Sequence, residues 1–246
     1  MDSADCTLSV NGLHSWYGSN HVLDGVTFDV RRGEIMVILG TSGCGKSTLL
    51  KNIIRLYRPG QGSIRLLGHE MTELEEEEIE TVLKNVGVMY QHGALLNSIT
   101  VGENVALPLE MHTSLSPGLR REIADLKLRQ VDLIDVYDKY PRELSGGMQK
   151  RAAVARAIVL DPDILFCDEP SAGLDPVTGK GLDIMLRTLC DTLGMTMVVV
   201  THELESIKRI ADRITYLHKG KVLFTGKLDD ALKSDIPQIQ EFFLLT

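Results

Sequence analysis

The chain is poor in several features that would place it in a broad class at once. It has four cysteines in 246 residues (Cys6, Cys44, Cys167, Cys190), far apart and with no C-x-x-C pair. That excludes a disulfide framework, and reduced thiols in a cytosolic setting are expected. No apolar run approaches the ~18 residues of a membrane-spanning helix, so the chain is not expected to cross a bilayer. The N-terminal stretch lacks the pattern of a signal peptide. Basic charge is in deficit: Lys and Arg number 26 against 34 Asp and Glu, a net charge of −8. General binding to nucleic acid or to anionic lipid is disfavoured. Internal repeats and low-complexity linkers are also missing.

What is present reads as a globular enzyme core. The chain is long enough to bury a large core, as one domain or as a domain with an inserted lobe. Ile35 to Leu39 is a continuous apolar run, suited to a strand buried on both faces of a parallel sheet. It leads into Gly40-Thr41-Ser42-Gly43-Cys44-Gly45-Lys46-Ser47-Thr48, the spacing G-x-x-x-x-G-K-[ST]. The glycines permit a tight turn that converges backbone N–H groups, and a helix starting at Thr48 adds positive character where phosphates would sit. In this spacing Lys46 supplies charge to the β/γ-phosphates and the Ser47 hydroxyl can ligate Mg²⁺. A Gly-rich turn that binds nothing is the plainer reading. The strand before and the helix after favour a phosphate loop.

Thr7 to Trp16 and Val22 to Val30 read as amphipathic strands of a side sheet, around a turn at Tyr17 to Asn20. Tyr17 is either a surface aromatic of that hairpin or a platform for a flat base above the phosphate loop. A loop over Arg58 to Gly62 and short strands at Ser63 to Leu67 and Val86 to Tyr90 follow, with the acidic run Glu75 to Glu78 opening a helix. From His92 to about Leu160 strand alternation vanishes. Val101 to Met111 and Leu119 to Val131 carry helical spacing, punctuated by Pro108, Pro117 and Pro141. This predicts a helical lobe (about 92–160) inserted into an α/β core (1–91 and 161–246), all within one domain, 1–246. Buried strands are then expected at Ile164 to Cys167 and Thr196 to Val200, a helix at Val177 to Leu193, edge strands at Arg213 to Leu217 and Lys221 to Thr225, and two short closing helices.

The polar residues at strand ends carry the chemistry. Asp168 ends a buried strand, where a carboxylate is costly unless it meets a cation. Mg²⁺ shared with Ser47 meets that need, and Gln91, ending another strand, can touch both Mg²⁺ and the attacking water. Glu169 reaches further, to a water in line with the γ-phosphate, as general base. His202 ends a third apolar strand and is placed to sense the γ-phosphate. Ser145-Gly146-Gly147-Met148 offers a second anion site at a helix start. One phosphate loop already saturates one nucleotide, so the second device makes sense in trans, in a two-fold dimer with two interfacial sites.

These residues resemble the ATPase subunits of ABC transporters over nearly the whole chain. Tyr17 matches the adenine-stacking aromatic, Gly40 to Thr48 the Walker A loop and Gln91 the Q-loop. Leu144 to Met148 matches the signature, Ile164 to Asp168 Walker B, Glu169 the catalytic glutamate, Ser171 to Asp175 the D-loop and His202 the switch histidine. The resemblance implies a P-loop NTPase (RecA-like) α/β fold, ATP and Mg²⁺ as cofactors, and ATP hydrolysis coupled to translocation. The runs from Tyr90 to Asn97, Asn104 to His112 and Leu144 to Arg151, with Ser171 to Pro176, are similar to the Mla/MCE-type ATPases of phospholipid transport in Gram-negative envelopes. Met148 stands where most ABC signatures have Gln, a replacement usual in that group. Ile236 to Leu245 corresponds to at most a short version of the C-terminal extension that reaches across to a partner.

That resemblance implies a homodimer on the cytoplasmic, inner face of the inner membrane, touching the membrane only through permease subunits. A periplasmic MCE-domain protein and a STAS-type regulator are implied partners. One alternative is the ATPase of an osmoprotectant-type importer of small polar solutes, which shares the LSGGM signature but usually carries a longer C-terminal domain. Another is a non-transport ABC protein acting on DNA or ribosomes, which needs coiled coils or paired cassettes and suits the acidic balance poorly.

Overall fold

The computed structural model describes residues 6–91 and 93–245. His92, where the change to helical spacing begins, and the final Thr246 lie outside the described residues. Strands β1 (Cys6–Tyr17) and β2 (Asn20–Arg31) form a hairpin and are followed by β3 (Ile35–Leu39), α1 (Lys46–Ile53), β4 (Gln61–Leu66) and β5 (His69–Glu70). Then come α2 (Glu76–Leu83), β6 (Val86–Met89), α3 (Val101–His112), α4 (Pro117–Gln130) and α5 (Gly146–Ala157). The chain continues as β7 (Ile164–Asp168), α6 (Pro176–Leu193), β8 (Thr196–Val200), α7 (Leu204–Ile210), β9 (Arg213–His218), β10 (Lys221–Lys227), α8 (Leu228–Leu232) and α9 (Pro237–Leu245).

The strands form two sheets. A four-stranded antiparallel sheet has the order β2-β1-β4-β5, and a six-stranded sheet the order β10-β9-β3-β8-β7-β6. The six-stranded sheet is parallel except for β10, which runs antiparallel to β9. Every residue of β3 and β8 is buried, because both faces of this sheet are covered. The period of two then assigns each side chain to a core. Ile35, Val37 and Leu39 of β3 join Leu165, Cys167, Met197 and Val199 against the helices. Met36 and Ile38 join Ile164, Phe166, Val198 and Val200 against α1 and the side sheet. The connections after β3, β6, β7 and β8 thereby open at one end of the parallel sheet, where polar residues replace the apolar run.

Several expectations change. β9 was expected at an edge, but it lies between β10 and β3, and its residues are buried through Leu217. Pro108 does not punctuate: α3 runs through it to His112. A neighbouring buried side chain, Asn104, is fully used, its amide exchanging hydrogen bonds with the backbone of Leu96 at 2.7 and 2.9 Å. The signature glycines form the first turn of α5, with Ser145 as N-cap. α9 docks on its own chain: Ile239 is buried in the helical core and the Tyr216 hydroxyl donates to the Gln238 carbonyl at 3.1 Å. All four cysteines are free, and no described helix is long and apolar enough to cross a membrane.

One buried cation ties the two sheets together. Arg213 of β9 donates to Asp29 of β2 at 3.0 Å and to Glu34, just before β3, at 2.9 Å. Burial pushes Glu34 above its ordinary value, against the pull of the Arg31 backbone and Arg213. Removing the cation strands two carboxylates. Arg213→Met is expected to lower stability by about 3–5 kcal/mol, read as a shift in the urea midpoint, and Glu34→Gln in the same chain should restore part of it. A shift under about 1 kcal/mol would show that packing of the arginine stem, not its charge, joins the sheets.

Candidate active site

β3 delivers the chain into a loop that only glycine can make. Gly40 has φ +149, and a Cβ there would lie 2.0 Å from the Leu217 carbonyl oxygen. Gly45 has φ +110 and caps α1 with no side-chain hydrogen bond, which leaves the first N–H groups of the helix turned toward the loop. Lys46 is buried, and its ammonium donates to the carbonyls of Gly40 at 2.8 Å and Thr41 at 3.2 Å. The loop thus curls around its own cation.

Loop and strand ends enclose a cavity of about 580 Å³. Gly40 to Gly43 and Gly45 to Thr48 form one wall, and Gln91, Asp168, Glu169 and His202 form another. Cys44 is buried behind the loop, outside the lining, and burial raises its thiol. Burial, then the Glu169 charge, raises the Asp168 carboxyl, while the Ser47 hydroxyl pulls it down. A hard cation between Ser47 and Asp168 would relieve that burial. The donor set of hydroxyl, carboxylate and the Gln91 amide oxygen is the one Mg²⁺ takes.

Glu169 turns the chain sharply out of β7 with φ +48, a conformation uncommon for a side chain of this size. Its backbone N–H donates to Val200 on β8 at 2.8 Å. One carboxylate oxygen, Oε1, lies 2.8 Å from Nδ1 of His202, while Oε2 is buried with no hydrogen-bond partner. A buried carboxylate oxygen with no partner is costly, and a proton brought to it would relieve that cost. His202 holds the carboxylate by one oxygen and leaves the other free to accept.

Three lining or linking residues were not legible beforehand. Lys150 of α5 donates to the Gln91 carbonyl and reaches the Glu169 carbonyl at 3.5 Å. Its burial lowers the ammonium's proton affinity. It gives a direct link from the helical segment to two cavity residues, and the Gln-Lys-Arg that follows the signature was its only signal. Val22 of the hairpin and Phe242 of α9 complete the lining, Phe242 standing edge-on to Tyr216 at 5.6 Å.

Two expected groups stay outside the cavity. Tyr17 is 72% exposed at the hairpin tip, with its ring 6.5 Å from that of Tyr57, and does not line the cavity. Ser145, Gly146, Gly147 and Met148 are also absent from the lining. The Ser145 hydroxyl accepts from the Met148 N–H at 3.3 Å, and Ser145 and Gly146 are exposed. Gly147 packs so closely on α6 that a Cβ would fall 2.4 Å from Thr178. Asp175 caps α6 through the N–H groups of Val177 and Thr178, so the two exposed turns share one support.

Comparison with known proteins gives concordant findings. The family described as "ABC transporter" matches residues 23–172. The "Probable ribonucleotide transport ATP-binding protein mkl" of Mycobacterium leprae is 38% identical over 235 residues, covering 96% of this chain and 68% of that protein. The "Methionine import ATP-binding protein MetN" of Mannheimia succiniciproducens is 36% identical over 224 residues, covering 91% of this chain and 65% of that protein. The chain therefore spans about two thirds of the length of these curated relatives. Among solved structures, the dimeric cassette MJ0796 in a post-hydrolysis state with ADP and Pi superposes with a TM-score of 0.81 at 31% identity, over 90% of this chain and 98% of that one. The cbiO1 subunit of the Clostridium perfringens cbiONQ transporter gives 0.86 at 27% identity, over 94% and 92%.

Proposed function

The chain belongs to the ABC transporter family of ATPases, and on that premise we propose that two copies close on two ATP molecules to drive a membrane permease carrying phospholipid or a related lipid. The chain is an α/β P-loop ATPase whose cofactors are ATP and Mg²⁺. The observation that carries the proposed mechanism is the Glu169 carboxylate, held by His202 through one oxygen and unpartnered at the other. Glu169 Oε2 takes the proton of the attacking water, and His202 positions that carboxylate. Lys46 leaves the Gly40 and Thr41 carbonyls for the β/γ-phosphates. Ser47, Asp168 and the Gln91 amide would hold Mg²⁺, which neutralises charge on those phosphates. The exposed Ser145 turn, absent from its own cavity, closes on the nucleotide of a second copy. Lys150 carries movement of Gln91 to α5.

The lipid cargo rests on the similarity of the Tyr90, Asn104, Leu144 and Ser171 runs to Mla/MCE-type ATPases. It implies a cytoplasmic placement on the inner face of the inner membrane, a periplasmic MCE-domain protein and a STAS-type regulator as partners, and no nucleic acid. A second reading, a small polar-solute importer, is favoured by methionine-import relatives at 36–38% identity. Purifying the ATPase with its permease in detergent and analysing bound molecules by mass spectrometry tests the choice. Stoichiometric phospholipid is expected. ATPase activity stimulated by an amino acid or another polar solute, with no retained lipid, would establish the second reading.

A further inference from the structure

The β1–β2 hairpin carries a side-chain cluster that ATP hydrolysis does not use. His14 Nδ1 lies 3.1 Å from His21 Nε2 and 3.5 Å from Asp24 Oδ1. One ligand atom from each of the three residues lies within 4.8 Å of the other two, the one such group of three among the described residues. Chain spacing alone would not bring them together. His21 and Asp24 are three residues apart, and in a regular strand they would face opposite sides.

Irregular pairing puts them on one side. From Val26 to Leu23 β2 takes three steps, while its partners Leu13 to Ser15 on β1 take two. From Leu23 to His21 it takes two steps against the single step from Ser15 to Trp16. These bulges keep Leu23 and Val26 buried while turning His21 and Asp24 toward His14. Gly25, at φ +71, leaves the ring of His14 its room, since a Cβ there would already sit 3.7 Å from its Nε2. Trp16 stacks on His21 with centroids 4.4 Å apart and planes 6° from parallel, which holds that ring in place. Lys221 binds the other oxygen of Asp24 at 3.0 Å, while Oδ1 lies on the His14 side.

We propose that His14, His21 and Asp24 form a binding site for a late first-row divalent cation of the zinc class. Two imidazole nitrogens and one carboxylate, with a water completing the set, match the preference of such ions. A tetrahedral zinc with bonds of about 2.0–2.1 Å holds neighbouring ligand atoms about 3.3–3.4 Å apart. The observed 3.1 and 3.5 Å bracket that spacing. His14 binds through Nδ1 as the tautomer with its proton on Nε2. The ion joins β1 to β2 at the base of the turn bearing Tyr17, beside Val22, and so fixes the hairpin that borders the cavity.

The test is a titration of nucleotide-free, chelator-stripped protein with Co²⁺, followed by ligand-field absorption, in excess Mg²⁺ to keep oxygen-only sites occupied. One saturating equivalent is expected, displaced by Zn²⁺. His21→Ala and His14→Ala should each weaken it at least about tenfold, since even loss of an outer-shell partner costs that much. His112→Ala should leave it unchanged, and Lys221→Ala should tighten it by freeing Asp24. His21 is exposed, and circular dichroism of its variant checks the fold. Absence of a saturable spectrum, or equal affinity in His21→Ala, would reduce the cluster to an imidazole–imidazole hydrogen bond and overturn the site.

Discussion

Glu169→Gln is expected to lower steady-state ATP turnover by about 10²–10⁴-fold and to leave ATP binding close to that of the unaltered chain. The substitution is nearly isosteric, and an amide oxygen can still take the His202 contact now made by Oε1 at 2.8 Å. What is lost is the capacity of the second oxygen to accept a proton, and that oxygen is the one left buried and unpartnered. Because the step removed follows binding, the variant should accumulate a closed, ATP-loaded dimer. Phosphate release and fluorescent-nucleotide binding measured side by side separate the two effects. His202→Ala should cost less, since it loosens the carboxylate without removing it. Near-normal hydrolysis in Glu169→Gln would take this residue out of the base role and move attention to the Gln91 side of the cavity.

The site was legible in the sequence where chemistry is contiguous or sits at the end of an apolar strand. The phosphate loop, Asp168, Glu169, Gln91 and His202 each follow a run whose burial forces the polar residue to the strand end, and the structure gathers them around one cavity. The sheet was legible for the same reason: β3, β7 and β8 are apolar on both faces, a pattern only a covered parallel strand needs. Legibility failed where position depends on neighbours far off in the chain. β9 carries Arg213 and Thr215 among its buried residues and so reads as an edge strand, yet Asp29, Glu34 and Thr225 satisfy those groups and allow it inside. Lys150 looks like a surface cation of a helix until the Gln91 carbonyl meets it across 59 residues. Phe242 is one apolar residue among several in α9, and nothing local marks it as cavity wall. The His14, His21 and Asp24 cluster is hidden further, since bulges break the very period that reading a strand relies on.

Mixing a Ser145→Arg chain with a Lys46→Ala chain, each defective alone, is expected to restore one working site per mixed dimer. Ser145 caps α5 at an exposed turn outside its own chain's cavity, and in the proposed pairing it serves a partner's nucleotide. A bulky cation there removes the cap, blocks approach and spoils the helix-terminus contact with phosphate. Lys46→Ala instead removes charge from the loop in both the ground and transition states. In the mixed dimer one composite site holds both lesions, and the other pairs an intact phosphate loop with an intact Ser145 turn. Placing Glu169→Gln in both chains converts closure into a stable species. Nucleotide retained after gel filtration should then be near zero for each chain alone and should appear on mixing. A role in cis predicts that each chain stays defective at its own site and that mixing restores nothing. Photo-crosslinking from the Ser145 turn gives the same answer without lesions. With ATP bound, label on the partner's Gly40 to Thr48 supports the paired site, and label confined to the same chain's loop would overturn it.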